Sequence, residues 1–335
     1  MYNGTKVFDV HGHVSAPAAA RSWIFGQLAS NTAGRSPISG GASAQGELSD
    51  EAFKASGQRH ADYMGERNID VQIIGPRPFT MLGWMEDHLF PGWCTFTNDT
   101  IQKQTSMFPD RFLGASMLPQ QSTAPDLKHV IPELDRCVKE YGFVGSYLSP
   151  DPAGHRETPG VNEAYWYPLY ERCQELNIPL IVHGTNCMDR RHRPLPQNYQ
   201  MGFVLETYLA TQLFSHTDVF EKFPNLKIVM CHGGGALNRF IPTDRHLSQK
   251  DFTKNLFYDT CTYDVNYMEC SIKQRGVSQL CFGTEAPGSG GAVRPETGKT
   301  SDDMIPIISA IDFLSEDDKL TIFNKNPLKV FPQFK

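Results

Sequence analysis

Eight short apolar runs recur along the chain, separated by longer segments of helical spacing, and this alternation narrows the folds open to it. The runs are KVFDVHGH from Lys6, VQIIGPR from Val71, FLGASML from Phe112, GFVGSYLS from Gly142, PLIVHGT from Pro179, LKIVMCHGGG from Leu226, LFYDTCTY from Leu256 and QLCFGTEAPG from Gln279. Each holds a few apolar or β-favouring residues between turn residues, the pattern of strands buried on both faces. Between them, Leu127, Val130, Ile131, Leu134 and Val138 fall three or four apart and form one stripe of a helix. Tyr165, Leu169, Cys173 and Leu176 repeat that spacing, and TNDTIQKQTSMF and DDKLTIFNKN read as shorter helices. Strand–helix alternation repeated eight times predicts an α/β fold, a (β/α)8 TIM barrel. An open doubly wound sheet has the same strand count and is the alternative.

No linker divides the 335 residues, so residues 1–335 are expected to form a single barrel domain. The rhythm breaks once. Residues 26–47, GQLASNTAGRSPISGGASAQGE, are rich in Gly, Ser and Ala and have little to bury, so they read as a long insertion after the first strand, either a lid or a disordered loop. The next segment restarts a helix, with Ser49 or Asp50 as its N-cap. A net charge of −6 without a Lys/Arg run argues against nucleic acid or anionic membrane as partner. No apolar run approaches the ~20 residues of a membrane span, and no signal-peptide pattern opens the chain. The eight cysteines form no C-x-x-C pair, and Cys231, Cys261 and Cys281 lie inside the apolar runs. That usage fits a soluble protein of a reducing, cytoplasmic compartment.

Polar side chains of one chemical kind close several of the runs. His11 and His13 end the first, His183 the fifth, His232 the sixth and Glu285 the eighth. In a parallel barrel every such end opens on the same face, where active sites are built. Residues two apart on a strand point the same way, so His11 and His13 share a face, with Gly12 adding no bulk between them. Three imidazoles and the Glu285 carboxylate make a nitrogen and oxygen shell suited to Zn2+, with Mn2+ or Fe2+ also accommodated. Such an ion lowers the pKa of bound water to about 7. His232, followed by three glycines, is expected beside that water as a base or hydrogen-bond partner, because the shell is already filled.

The remaining residues read less sharply. Asp9 and Asp259 lie within strands. Asp9 either orients a ligand histidine or is a structural carboxylate bonded to backbone. Arg77 in GPRPF is the first candidate to grip a substrate carboxylate, and Arg239 and Arg294 are further candidates. His60, His88, His129, His155, His192, His216 and His246 read mostly as ordinary exposed histidines.

These residues, with LSPDPAG, WYPLYERCQELNIPLIVH, FPNLKIVMCHGGG, YDTCTY and FGTEAPG in order along nearly the whole chain, resemble the amidohydrolase-related branch of the amidohydrolase superfamily. That branch includes aminocarboxymuconate-semialdehyde decarboxylase. The resemblance implies a (β/α)8 barrel with one divalent metal, usually zinc, held by His11, His13 and His183, with His232 catalytic. It also implies a homo-oligomer, a dimer or tetramer. Many decarboxylases of the branch carry Asp at the last metal position, where this chain has Glu285. Glu there is similar to the subgroup holding 4-oxalomesaconate hydratase and the hydrolase of a biphenyl-derived meta-cleavage product, and GPRPF and EAPGSGGAVRPETGK look closer to the hydrolase. The expected function is hydrolysis of a C–C bond in a small, carboxylated ring-cleavage product, with Glu285 and His232 moving protons. Hydration of an unsaturated dicarboxylate, non-oxidative decarboxylation and a non-catalytic zinc-binding role are the alternatives.

Overall fold

A computed structural model describes the chain apart from residues 18–48, 122, 186, 193, 196–197, 240–249 and 335. All eight apolar runs form strands: β1 (Phe8–His13), β2 (Val71–Gly75), β3 (Phe112–Ser116), β4 (Gly145–Leu148), β5 (Leu180–Val182), β6 (Ile228–Met230), β7 (Leu256–Asp259) and β8 (Leu280–Cys281). They lie side by side in chain order, each pair parallel. The last strand meets the first through two backbone bonds, Val10 N–H to Phe282 O (2.9 Å) and Glu285 N–H to His11 O (2.8 Å). The barrel prediction holds, and the closing bonds set Glu285 beside His11. The insertion read at 26–47 lies outside the described residues.

Alternation along the strands builds two apolar layers. Phe8, Val10, Ile73, Tyr147, Ile181, Val229, Phe257 and Cys281 belong to one cluster, which Val330, Phe331 and Phe334 from the C-terminal segment join. Their neighbours Ile74, Leu148, Leu180, Val182, Ile228, Met230, Leu256 and Tyr258 belong to a second cluster with helical residues such as Met64, Leu134, Leu169 and Phe214. A strand buried on both faces needs apolar residues at consecutive positions, which is why the runs were continuous.

The helices are α1 (Asp50–Glu66), α2 (Phe90–Met107), α3 (Ile131–Lys139), α4 (Tyr167–Leu176), α5 (Asn198–His216) and α6 (Val265–Arg275), with shorter pieces between and after them. Ser49 caps α1, its hydroxyl accepting from Ala52 N–H at 3.2 Å. The stripe read from Leu127 onward is a short 3₁₀ turn, Leu127–Val130, leading into α3, where Pro132 suits the first turn. DDKLTIFNKN is split rather than continuous: helix Glu316–Leu320 passes into a wider π turn over Thr321–Lys325. Helix α5 was not foreseen. Its segment GFVLETYLATQLF is apolar around much of its circumference and shows no single stripe. It reaches the carboxyl end of β5, where the Phe203 ring packs 5.3 Å from that of His183.

Candidate metal centre and active site

At the carboxyl ends of β1, β5 and β8, the side chains of His11, His13, His183 and Glu285 converge, each offering a ligand atom within 4.8 Å of the others. All four are buried. The Nε2 atoms of the three imidazoles are buried without a hydrogen-bond partner among the described residues. Each opposite nitrogen is engaged: His11 Nδ1 lies 2.7 Å from Asp259 Oδ2, His13 Nδ1 2.8 Å from Pro76 O and His183 Nδ1 2.6 Å from Gly184 O. All three partners only accept, so each ring carries a hydrogen on Nδ1. Against the lowering effect of burial, Cys231 and the Asp259 carboxylate hold the His11 pKa well above the ordinary value, so a cation binding there would displace its Nε2 hydrogen. Burial lowers the His13 pKa to about 4 and holds His183 well below the ordinary value, keeping both rings neutral, as metal ligation requires. Three buried, unpartnered imidazole Nε2 atoms converging with a carboxylate fit a divalent cation, which would take the place of the His11 hydrogen.

Glu285 divides its two oxygens. Oε1 lies 3.4 Å from His13 Nε2, whereas Oε2 accepts from the Ser289 hydroxyl at 2.5 Å and the Tyr263 hydroxyl at 3.4 Å. Burial alone would raise this carboxyl group, but the 3.4 Å contact with His13 and the charge favoured on His11 hold it well below the usual range. His232 stands next to the cluster, its ring 4.6 Å from that of His183 and 5.3 Å from that of His11. Its Nδ1 is buried without a partner among the described residues, and burial lowers its pKa. Both residues adopt left-handed backbone, His232 at φ 54° and Glu285 at φ 57°. Non-glycine residues rarely do so, and such strain concentrates at functional sites.

The two strand aspartates separate cleanly. Asp259, not Asp9, orients the His11 ring; its other oxygen accepts from Gly233 N–H (2.8 Å) and Cys261 N–H (3.1 Å). Asp9 accepts instead from the backbone N–H of His11 and from Thr284 and Gln72, the structural-carboxylate arrangement. Ser289, Tyr263 and Asp259 therefore complete the site, and sequence reading had assigned a role to none of them. The only available signal for Ser289 was its place in the glycine-rich loop after Glu285.

The two largest cavities found on this face among the described residues flank the cluster. One of about 320 Å³ is lined by His232, Glu285, Tyr263 and Ser289, with Phe203 and Gln200 from α5. The other, about 560 Å³, lies against Val14 and Ser15, directly after His13, and is lined by Arg77, Arg59, His60 and the aromatic rings of α2. Arg77 is held at its wall by Nε–H donation to Val14 O at 3.0 Å. The other candidate arginines lie elsewhere. Arg239 is exposed, and Arg294 is buried in its own loop, donating to Ser301 O at 2.9 Å; neither lines these cavities. Of the histidines read as exposed, His60 and His192 are buried, and His246 lies outside the described residues.

Known proteins share this arrangement of chain. A 2-keto-4-carboxy-3-hexenedioate hydratase from Sphingobium sp. is 31% identical, covering 98% of this chain and 96% of its own. The crystal structure of a 4-oxalomesaconate hydratase from Rhodopseudomonas palustris superposes with a TM-score of 0.82 at 31% identity, covering 97% of this chain and 95% of the other. A 2-amino-3-carboxymuconate-6-semialdehyde decarboxylase from Dictyostelium discoideum is 23% identical over 78% of this chain and 72% of its own. Residues 8–333, which include every strand and all five convergent side chains, match the amidohydrolase family, and the chain belongs to it.

Proposed function

We propose that this protein is a metal-dependent hydratase, a lyase adding water across a conjugated C=C bond of a small carboxylated keto acid. The observation that carries this reading is the near full-length similarity to two hydratases, one met by sequence and one by structure. It moves the weight from C–C hydrolysis, the first expectation from the sequence, to what stood there as its alternative. Glu at the last ligand position, with only one oxygen turned into the cluster, supports the same subgroup.

His11, His13, His183 and Glu285 would hold the cation, which when bound polarises substrate oxygens and acidifies water. Zn2+ suits three imidazoles and a carboxylate, and Mn2+ or Fe2+ the same donors. His232, neutral near pH 7 and facing the cavity shared with Glu285, accepts a proton as water adds. Arg77 supplies a fixed positive charge for a substrate carboxylate at the other side of the cluster. Phe203 of helix α5 supplies an apolar wall to the cavity beside His232 and Glu285.

Product analysis with metal-loaded protein and a panel of unsaturated keto dicarboxylates tests this. The expected product is heavier than its substrate by one water, with loss of the conjugated absorbance, and His232→Ala abolishes it while retaining stoichiometric metal. Two carbon fragments or released CO2 would overturn the proposal in favour of hydrolysis or decarboxylation.

A further inference from the structure

His60, on α1, is 1% exposed, and its Nε2 lies 2.8 Å from Gln72 Oε1. The amide nitrogen of Gln72 is 2.8 Å from Asp9 Oδ2 and 2.7 Å from Ala286 O, both acceptors. The amide is therefore oriented with its oxygen toward His60, and Nε2 of the ring must carry the hydrogen. Burial pushes the His60 pKa down to about 4, so near pH 7 the ring is neutral and has one N–H only. Its Nδ1 is then a bare acceptor, buried and without a partner among the described residues.

The same residue lines the 560 Å³ cavity together with Arg77, Arg59 and Tyr63. The guanidinium groups select an anion. A carboxylate near neutral pH has no hydrogen to donate, so it satisfies the arginines and leaves His60 Nδ1 unpaired. A hydroxyl carried near that carboxylate supplies the missing hydrogen. We propose that this cavity recognises hydroxy acids and the enols of keto acids, Arg77 and Arg59 taking the carboxylate and His60 Nδ1 accepting from the hydroxyl. The inference rests on the site taking a carboxylated substrate. For a hydration it makes His60 a specificity determinant that favours the enol or the hydrated product over an alkene lacking O–H.

Citramalate and methylsuccinate, which differ by one hydroxyl, test it by calorimetry on metal-loaded protein. Any contribution of the metal to the citramalate preference is common to wild type and variant, so the change in preference on substitution reads His60 alone. The preference is expected to fall about tenfold in His60→Phe and to survive largely in His60→Gln, whose amide both donates and accepts. A His60→Phe protein with native metal content and the wild-type preference would overturn the inference. Should that variant not fold, the long-range proton–nitrogen NMR signal of His60 Nδ1 in wild type decides. It moves with citramalate and not with methylsuccinate, and an unmoved signal refutes the contact. None of these readouts uses turnover, so a failed hydration assay would sink the hydratase reading separately.

Discussion

Replacing Asp259 by Asn removes one charge and leaves the shape, and the hydrogen bonds around it dictate the consequence. Asp259 Oδ1 accepts from two backbone donors, Gly233 N–H and Cys261 N–H, while Oδ2 faces His11 Nδ1 at 2.7 Å. Asparagine has one oxygen. Two buried backbone donors claim it, so the new NH2 turns toward His11. The ring can meet that donor only with a lone pair on Nδ1, and its hydrogen moves to Nε2, directly into the ligand cluster. Binding a metal then requires the hydrogen to return to Nδ1, setting two donors against each other in a buried site at about 1–3 kcal/mol. With about 1.4 kcal/mol per tenfold, that is a loss of roughly 10–100-fold in metal affinity, the range seen when such supporting partners are removed. Competition against a chromophoric chelator measures it, with circular dichroism confirming the fold. An Asp259→Asn protein binding zinc within about threefold of wild type would show that Asp259 does not set the His11 tautomer.

Other substitutions probe neighbouring links. At Gly12, a Cβ would lie 2.3 Å from Gln72 Cδ and 2.5 Å from its Oε1, so Gly12→Ala should displace Gln72 and cost about 1–3 kcal/mol in urea unfolding. Removing the Ser289 hydroxyl frees Glu285 Oε2, and Ser289→Ala should weaken metal binding several-fold in the chelator assay while Ser289→Thr restores it. His60 gives a pH signature in metal-free protein. Its folded pKa of about 4 lies below the ordinary 6.5, so the unfolded chain takes up the proton first and stability falls as pH drops from 6.5 towards 4, by up to about 3 kcal/mol. Asp9, pushed up to about 6 by burial, acts oppositely, its contribution being lost as pH rises through 6, so the difference between wild type and His60→Gln isolates the histidine. Equal slopes in the two proteins between pH 4 and 6.5 would remove His60 from the linkage.

Most of the barrel was legible because a parallel strand needs apolar residues on both faces, and such runs stand out between amphipathic helices. What the runs could not show was where pairing stops. β5 is three residues and β8 two, and the rest of those runs is loop that carries the chemistry. Helix α5 escaped because an element packed on several sides has no stripe to read. The convergence of the candidate ligands was legible for the opposite reason: an imidazole or carboxylate that ends an apolar strand is out of place there unless something pairs with it.

Their supports were not legible, since the pairing of His11 with Asp259 spans 248 positions, and Asp9, also in a strand, read equally well. Only the hydrogen-bond ledger separates the two aspartates: one spends its oxygens on backbone and neighbouring polar groups, the other reserves one for a ring. The arginines show the same limit, because Arg77 and Arg294 look alike in sequence, and only the fold of each loop decides which guanidinium reaches a cavity. The backbone at His232 and Glu285 marks a further limit. A reader of sequence assigns left-handed turns to glycine, and glycines stand nearby at Gly233 and Gly283. Gly233 is left-handed at φ 60°, but positive φ falls on the candidate site residues as well, at 54° and 57°. Glycine would relieve the strain and delete the side chain the site requires, so the cost of that conformation, about 1–3 kcal/mol for each residue, is borne where the chemistry is.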